Sequence, residues 1–343
     1  MQTIENEFPE ESIQSNQEEP KSTVPNGVDV QPVMERTERV KSQIGQVIVG
    51  QGEMMDLMLI ALFTGGHVLL EGVPGIAKTL SAKLLARAIK SEFSRIQFTP
   101  DLMPADVVGT TVFNMKSSEF SFKQGPVFSN VILIDEINRA PAKTQAALFE
   151  VMEERQVTVD GNTYKLDAPF FVVATQNPID QEGTYKLPEA QLDRFLFKII
   201  MNYPGLEEEQ IILRRFQNDF EGMLRDQVQA ILSPKDIADC RQRIEKVFIR
   251  EELLDYIAAI VHNTRSNTDL FLGASPRASL AMMKTSKAVA AMDGRNYVTP
   301  DDIRYVAYPV LNHRVILTPE REMEGFTTRE VIDEIVKEIE VPR

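Results

Sequence analysis

Glu71-Gly72-Val73-Pro74-Gly75-Ile76-Ala77-Lys78-Thr79 is the stretch from which the rest of the chain is read. The apolar run His67-Val68-Leu69-Leu70 leads into it as a strand, and Leu80, Leu84, Leu85 and Ala88 lead out at helical spacing. A glycine-bearing turn between a buried strand and a helix exposes several backbone N–H groups beside the positive end of the helix dipole, which makes an anion site. Lys78 adds a point charge for terminal phosphates, and Thr79 adds a hydroxyl for Mg²⁺. The pattern is Gly-x-x-x-x-Gly-Lys-Thr with Ala77 in place of the last glycine. A methyl group fits there if the residue is already entering the helix, whereas a left-handed angle would favour glycine.

Further along, Val131-Ile132-Leu133-Ile134-Asp135-Glu136 places four apolar residues before two acids. Such a run suits a central parallel strand buried on both faces. Its acids then fall at the carboxyl edge, where open α/β sheets bind ligands. Asp135 is expected to hold Mg²⁺, directly or through water, and Glu136 is the expected general base for an attacking water. By itself an acidic strand end is as readily a solvated turn; the phosphate loop upstream tips the reading. Phe170-Phe171-Val172-Val173-Ala174 is a further buried strand that delivers Thr175-Gln176-Asn177 to the same edge, where the Asn177 amide can reach a γ-phosphate or the water.

At 343 residues the chain has room for two packed domains. The expected division is an acidic, disordered tail over 1–32, an α/β nucleotide-binding core over 33–203, a helical domain over 204–320 and a C-terminal helix or tail over 321–343. Six glutamates between Glu5 and Glu19 face the single Lys21, too little apolar surface to offset ordering. Two candidate hairpins interrupt the alternation of strand and helix, Thr110–Phe113 with Glu119–Phe122 and Val157–Val159 with Tyr164–Leu166. Ser233-Pro234 and Thr299-Pro300 read as helix starts, each with an aspartate three residues after the cap. A net charge of −14 argues against a general nucleic-acid or membrane-surface binder. Cys240 is the single cysteine, so no intrachain disulfide can form. No apolar run approaches a membrane span and the N-terminus lacks a signal pattern, so the cytoplasm is the expected compartment. His67, His262 and His313 share no spacing and are assigned no metal site.

With these motifs in order, the chain resembles the AAA+ ATPases and, within them, the MoxR family. The resemblance rests on Glu71–Thr79, Ile134-Asp135-Glu136-Ile137-Asn138-Arg139-Ala140, Ala174-Thr175-Gln176-Asn177-Pro178 and Gly273-Ala274-Ser275-Pro276-Arg277, and spans about Val33 to Leu317. It implies an AAA+ parallel-sheet domain with hairpin inserts, followed by a smaller all-helical lid. It implies ATP and Mg²⁺ as cofactors. Nucleotide contacts are implied at Val49, Gly50, Gly72, Val73, Pro74, Gly75, Ile76, Ala77, Lys78, Thr79, Leu80 and Asp135, with Thr79 and Asp135 on the metal. Catalytic roles are implied for Lys78, Glu136, Asn177 as first sensor, Arg194 as the arginine finger reaching a neighbour's nucleotide, and Arg277 as second sensor on the lid. Arg139 is a weaker candidate for facing a neighbour. The resemblance also implies a homo-oligomeric ring, a hexamer, and chaperone-like action on proteins with von Willebrand factor A domains. Two other classes remain: a nucleic-acid motor, disfavoured by the acidic charge, and a nucleotide-sensing scaffold without turnover, disfavoured by the retention of both Asp135 and Glu136.

Overall fold

The fold is given by a computed structural model that describes residues 27–73, 75–116, 118–177, 185–219, 222 and 226–342. The acidic tail up to residue 26, Pro74 of the phosphate loop, Ser117 of the first hairpin turn and Pro178 lie outside the described residues. The first helix begins at Gln31 with Pro32 in its first turn, so it starts inside the stretch expected to be disordered.

The chain opens with α1 (Gln31–Gly45) and α2 (Gly52–Thr64), then β1 (Val68–Gly72), α3 (Lys78–Ala88) and β2 (Phe93–Gln97). A short α4 (Pro104–Val108) precedes the hairpin of β3 (Gly109–Asn114) and β4 (Glu119–Gln124). Next come β5 (Val131–Asp135), α5 (Ala142–Glu154), the hairpin of β6 (Gln156–Val159) and β7 (Asn162–Lys165), β8 (Phe171–Gln176), α6 (Glu189–Leu192) and β9 (Phe197–Met201).

Five of these strands form one parallel sheet in the order β2–β5–β8–β1–β9. Both faces are covered, which is why β5 and the first five residues of β8 are buried and almost purely apolar. Side chains alternate between the faces with the strand period. Val68, Leu70, Leu133 and Val173 meet the helices on one side, and Leu69, Ile132, Ile134 and Val172 meet α5 and its neighbours on the other. After β1 the chain runs to the far edge strand β2; after β8 it passes over β1 to reach β9. Connections that part in opposite directions leave a crevice at the carboxyl ends of the strands.

Beyond β9 the chain is helical: α7 (Leu206–Phe216), α8 (Pro234–Glu245), α9 (Glu251–Ser266), α10 (Pro276–Met292) and α11 (Pro300–Leu311). One short ladder, β10 (Leu270–Leu272) against β11 (Ile316–Leu317), departs from the expected all-helical composition. Ser233 and Thr299 cap as their spacing predicts, with Asp236 and Asp302 returning hydrogen bonds to the cap residues. The expected terminal helix over 321–343 is two pieces, α12 (Pro319–Met323) and α13 (Thr328–Glu338). Gly325 at φ +85° breaks it, and Thr327 caps the second piece by accepting from Glu330 N. Val331 and Ile335 are buried, while Ile339 lies at the end of α13 in extended backbone. The apolar α2 is buried nearly all round, with the alanines of α10 against it. A single apolar cluster therefore joins the N-terminal helices, one sheet face and the C-terminal helices.

Candidate functional site: a phosphate-loop cavity and an arginine cluster at opposite sheet edges

The loop after β1 is held close to β9. A Cβ on Gly72 would come within 2.8 Å of the Met201 carbonyl oxygen, so only glycine fits. Gly75 takes φ +88°. Ala77 also takes the left-handed conformation, φ 66° and ψ 20°, as the residue capping α3. The methyl group therefore sits where glycine would be easier, at a cost of about 1 kcal/mol. The first N–H groups of α3 have no acceptor within the helix and face the loop, as an anion site requires.

Lys78, Thr79, Leu80, Gly75 and Ala77 line a cavity of 820 Å³ together with Asp135, Glu136, Thr175 and Asn177. Residues from three strand ends and one helix thus converge on one space. The Lys78 ammonium donates to the Gly72 carbonyl at 2.6 Å. Burial pushes its pKa down, opposed by Asp135, Glu136 and Glu71. Val73 packs against the core and Ile76 is buried, so these two supply backbone and anchorage to the loop.

Asp135 ends β5 with its carboxylate buried, 9% exposed. One oxygen accepts from Arg95 Nε at 2.6 Å and the other from the Thr175 hydroxyl at 3.3 Å. Glu136 is in the left-handed region, φ 58° and ψ 54°, a conformation worth about 1–3 kcal/mol of strain for a non-glycine residue. Its N–H donates to Thr175 Oγ1 at 3.0 Å, and its carboxylate accepts from Gln97 Nε2 at 2.9 Å and pairs with Arg139 at 3.1 Å. Arg139 thus contacts the expected base within the same protomer. Arg95, Gln97 and Thr175 were not singled out from sequence. The register places Gln97 opposite Asp135 across the β2–β5 pair, and that pairing reveals the function of Arg95 and Gln97, while the β5–β8 pair brings Thr175 beside Asp135. The signal available was two polar residues flanking Ile96 at the end of a strand.

A second, smaller cavity of 220 Å³ contains Gly50, Met54, Leu57, Asn202, Tyr203, Tyr308 and Pro309, with Arg329 stacked over the Tyr308 ring at 4.1 Å. It lies where β9 ends beside Gly72; Gly50 lines it and Val49 does not.

Arg194 and Arg277 are not in the phosphate-loop cavity. They lie at the opposite edge of the sheet, beside Gly66 and His67 at the start of β1, roughly 16 Å along the strand from the loop. Arg194 Nη1 and Arg277 Nη2 contact the two oxygens of Glu153, at 3.1 and 2.9 Å. Arg277 also approaches Asp193 at 3.9 Å. Asp193 accepts from Arg314 Nε at 2.7 Å and from the Ser275 hydroxyl at 3.3 Å. Arg314 is buried and donates to the Phe195 carbonyl as well, tying the end of the helical region to the Arg194 loop. Arg155 and Lys284 complete the lining of this 290 Å³ cavity, where five basic residues meet two acids. His67 is fully buried, accepts from Val172 N at Nδ1, and is lowered to about pH 4 in pKa by burial and by Arg155.

Comparison with known proteins agrees with this geometry. Residues 67–197 match the model of the ATPase family associated with various cellular activities, and 262–335 match its AAA lid domain. The chain is 45% identical over 299 residues to the uncharacterized protein YeaC of Bacillus subtilis, covering 87% of this chain and 92% of that one. It is 43% identical over 315 residues to the chaperone MoxR1 of Mycobacterium tuberculosis, covering 89% and 82%. The crystal structure of a candidate ATPase from Cytophaga hutchinsonii superposes with a TM-score of 0.84 at 47% identity, over 90% of this chain and 96% of that chain.

Proposed function

The chain belongs to the MoxR family of AAA+ ATPases, and on that premise we propose that it hydrolyses Mg-ATP in a homo-oligomeric ring to remodel client proteins. The observation that carries the reading is the convergence of Lys78, Thr79, Asp135, Glu136 and Asn177 on one cavity. A hydroxyl and a carboxylate are hard oxygen ligands suited to Mg²⁺, and the cationic Arg95 already sits on the carboxylate. A Mg²⁺ held by Thr79 and Asp135 would supply positive charge against the phosphates.

The protein's own part is positioning and proton transfer. Loop N–H groups and Lys78 hold the phosphates. Thr79 and Asp135 hold the metal. Glu136, pre-set by Gln97 and Arg139, accepts a proton from the attacking water, which Asn177 orients. Gly50 and its neighbours line the space for the base. Arg194 and Arg277 face away from their own protomer's loop, so in this reading both serve the adjoining protomer's triphosphate. Their paired placement on Glu153 supports a shared role. The chaperone name of the Mycobacterium relative supports a protein client. Von Willebrand factor A domain proteins are the proposed clients and a hexamer the proposed ring. No helix among the described residues is long and apolar enough to cross a membrane, and we place the protein in the cytoplasm.

The test is phosphate release by the wild type and by Glu136→Gln. We expect a loss of about 10²–10⁴-fold with ATP binding retained. Equal rates would remove Glu136 from this role.

A further inference from the structure

Asp135 and Arg95 form an ion pair of two unlike partners. The aspartate is fixed: its side chain is 9% exposed, it ends a central strand, and its second oxygen accepts from Thr175. The arginine comes from the edge strand β2 and its side chain is 54% exposed. Its only other described side-chain contact is a long one, 3.5 Å, to the Gln97 amide oxygen. The guanidinium can therefore withdraw into water at little cost, whereas the carboxylate stays where the strand and Thr175 hold it, at the wall of the cavity. Among the other cations around the cavity, Lys78 of the phosphate loop is engaged with the Gly72 carbonyl.

A guanidinium nitrogen lies 2.6 Å from Asp135 Oδ2, the carboxylate oxygen that Thr175 does not contact. We propose that Arg95 is a built-in surrogate for Mg²⁺. It neutralises Asp135 while the metal is absent and yields that carboxylate when the metal arrives with the nucleotide. Two consequences follow. Metal-free ATP meets a neutralised site instead of a bare carboxylate, so its binding is protected. The metal must displace Arg95, so its own affinity is held down. This inference rests on reading Gly72–Thr79 and Asp135 as a Mg-nucleotide site.

The experiment is equilibrium binding of a fluorescent ATP analogue to the full chain, once with excess Mg²⁺ and once with EDTA. Wild type is compared with Arg95→Ala, Arg95→Gln and Arg95→Lys. For the alanine and glutamine variants we expect binding in EDTA to weaken by about tenfold or more, the scale of one charge–charge interaction near a protein surface. Binding in Mg²⁺ should be unchanged or tighter, and half-saturation should need less Mg²⁺. Lysine should restore much of the metal-free binding. A ratio of the two affinities equal to wild type in all variants would overturn the proposal. So would an equal loss in both media, which would make Arg95 an ordinary phosphate ligand. Failure of wild type to bind nucleotide in either medium would overturn the reading of the site, and this inference with it.

Discussion

The carboxyl edge of the sheet and its amino edge differ in how their charges are arranged. At the carboxyl edge, Lys78, Asp135 and Glu136 come from two contiguous motifs, and each is held by groups from a neighbouring strand or its own loop. At the amino edge, Arg194 and Arg277 come from segments more than eighty residues apart and meet on Glu153, which receives both. The first edge is a cavity that gathers Lys78, Thr79, Asp135, Glu136 and Asn177. The second is an anion-seeking surface without a phosphate loop. In the proposed function each would be half of a phosphoryl-transfer site, and a head-to-tail ring would bring the halves together.

The contrast breaks most readily at the arginines. Arg194→Ala and Arg277→Ala should each lower turnover of the assembled protein, the finger variant by about 10³-fold. ATP affinity of the isolated protomer should stay essentially as in wild type. Equal losses of ATP affinity in dilute protomers would return the arginines to their own nucleotide and erase the distinction between the edges.

A smaller effect concerns His67 at the amino edge. Its pKa of about 4 in the folded protein lies below the ordinary 6.5. As pH falls through 6.5 the unfolded chain takes up a proton that the folded one refuses until about pH 4. Stability is thus fully present above pH 6.5 and is lost on acidification through that window, by about 3 kcal/mol from this group in full. His313, buried and also lowered well below its ordinary value, adds a loss of the same sign. Urea unfolding at pH 7 and pH 5 should show the drop in wild type and a flatter profile in His67→Gln. Identical profiles would mean that His67 is solvated.

The smallest expected effect is at the carboxyl edge. Ala77→Gly relieves the left-handed angle and should raise stability by up to about 1 kcal/mol, reduced by glycine's greater freedom in the unfolded chain. A destabilised variant would show that the methyl group packs favourably in the loop.

The phosphate loop, the acidic strand end and the cap residues Ser233 and Thr299 were legible because each is a local pattern with a local physical cause. Strand identity in the central sheet was equally legible, since burial on both faces demands continuous apolar runs. Strand neighbours were not. β2 follows β1 in sequence yet pairs with β5, so Arg95 and Gln97 acquire their partners only through the sheet order. The break at Gly325 was missed because Val331, Ile335 and Ile339 share a helical spacing that hides the new start at Thr327. Arg194 and Arg277 were recognisable as residues, but their separation from the loop depends on where the C-terminal helices dock.

In the proposed ring, one protomer completes the site of the next. Glu136→Gln retains its arginines and Arg194→Ala retains its base, so each is inactive alone for a different reason. Mixed in equal amounts under assembling conditions, the two should release phosphate well above the sum of their separate rates, because Arg194→Ala protomers then receive an intact arginine from a Glu136→Gln neighbour. A mixture that never exceeds that sum, with mixed assembly verified by differential labelling, would contradict it.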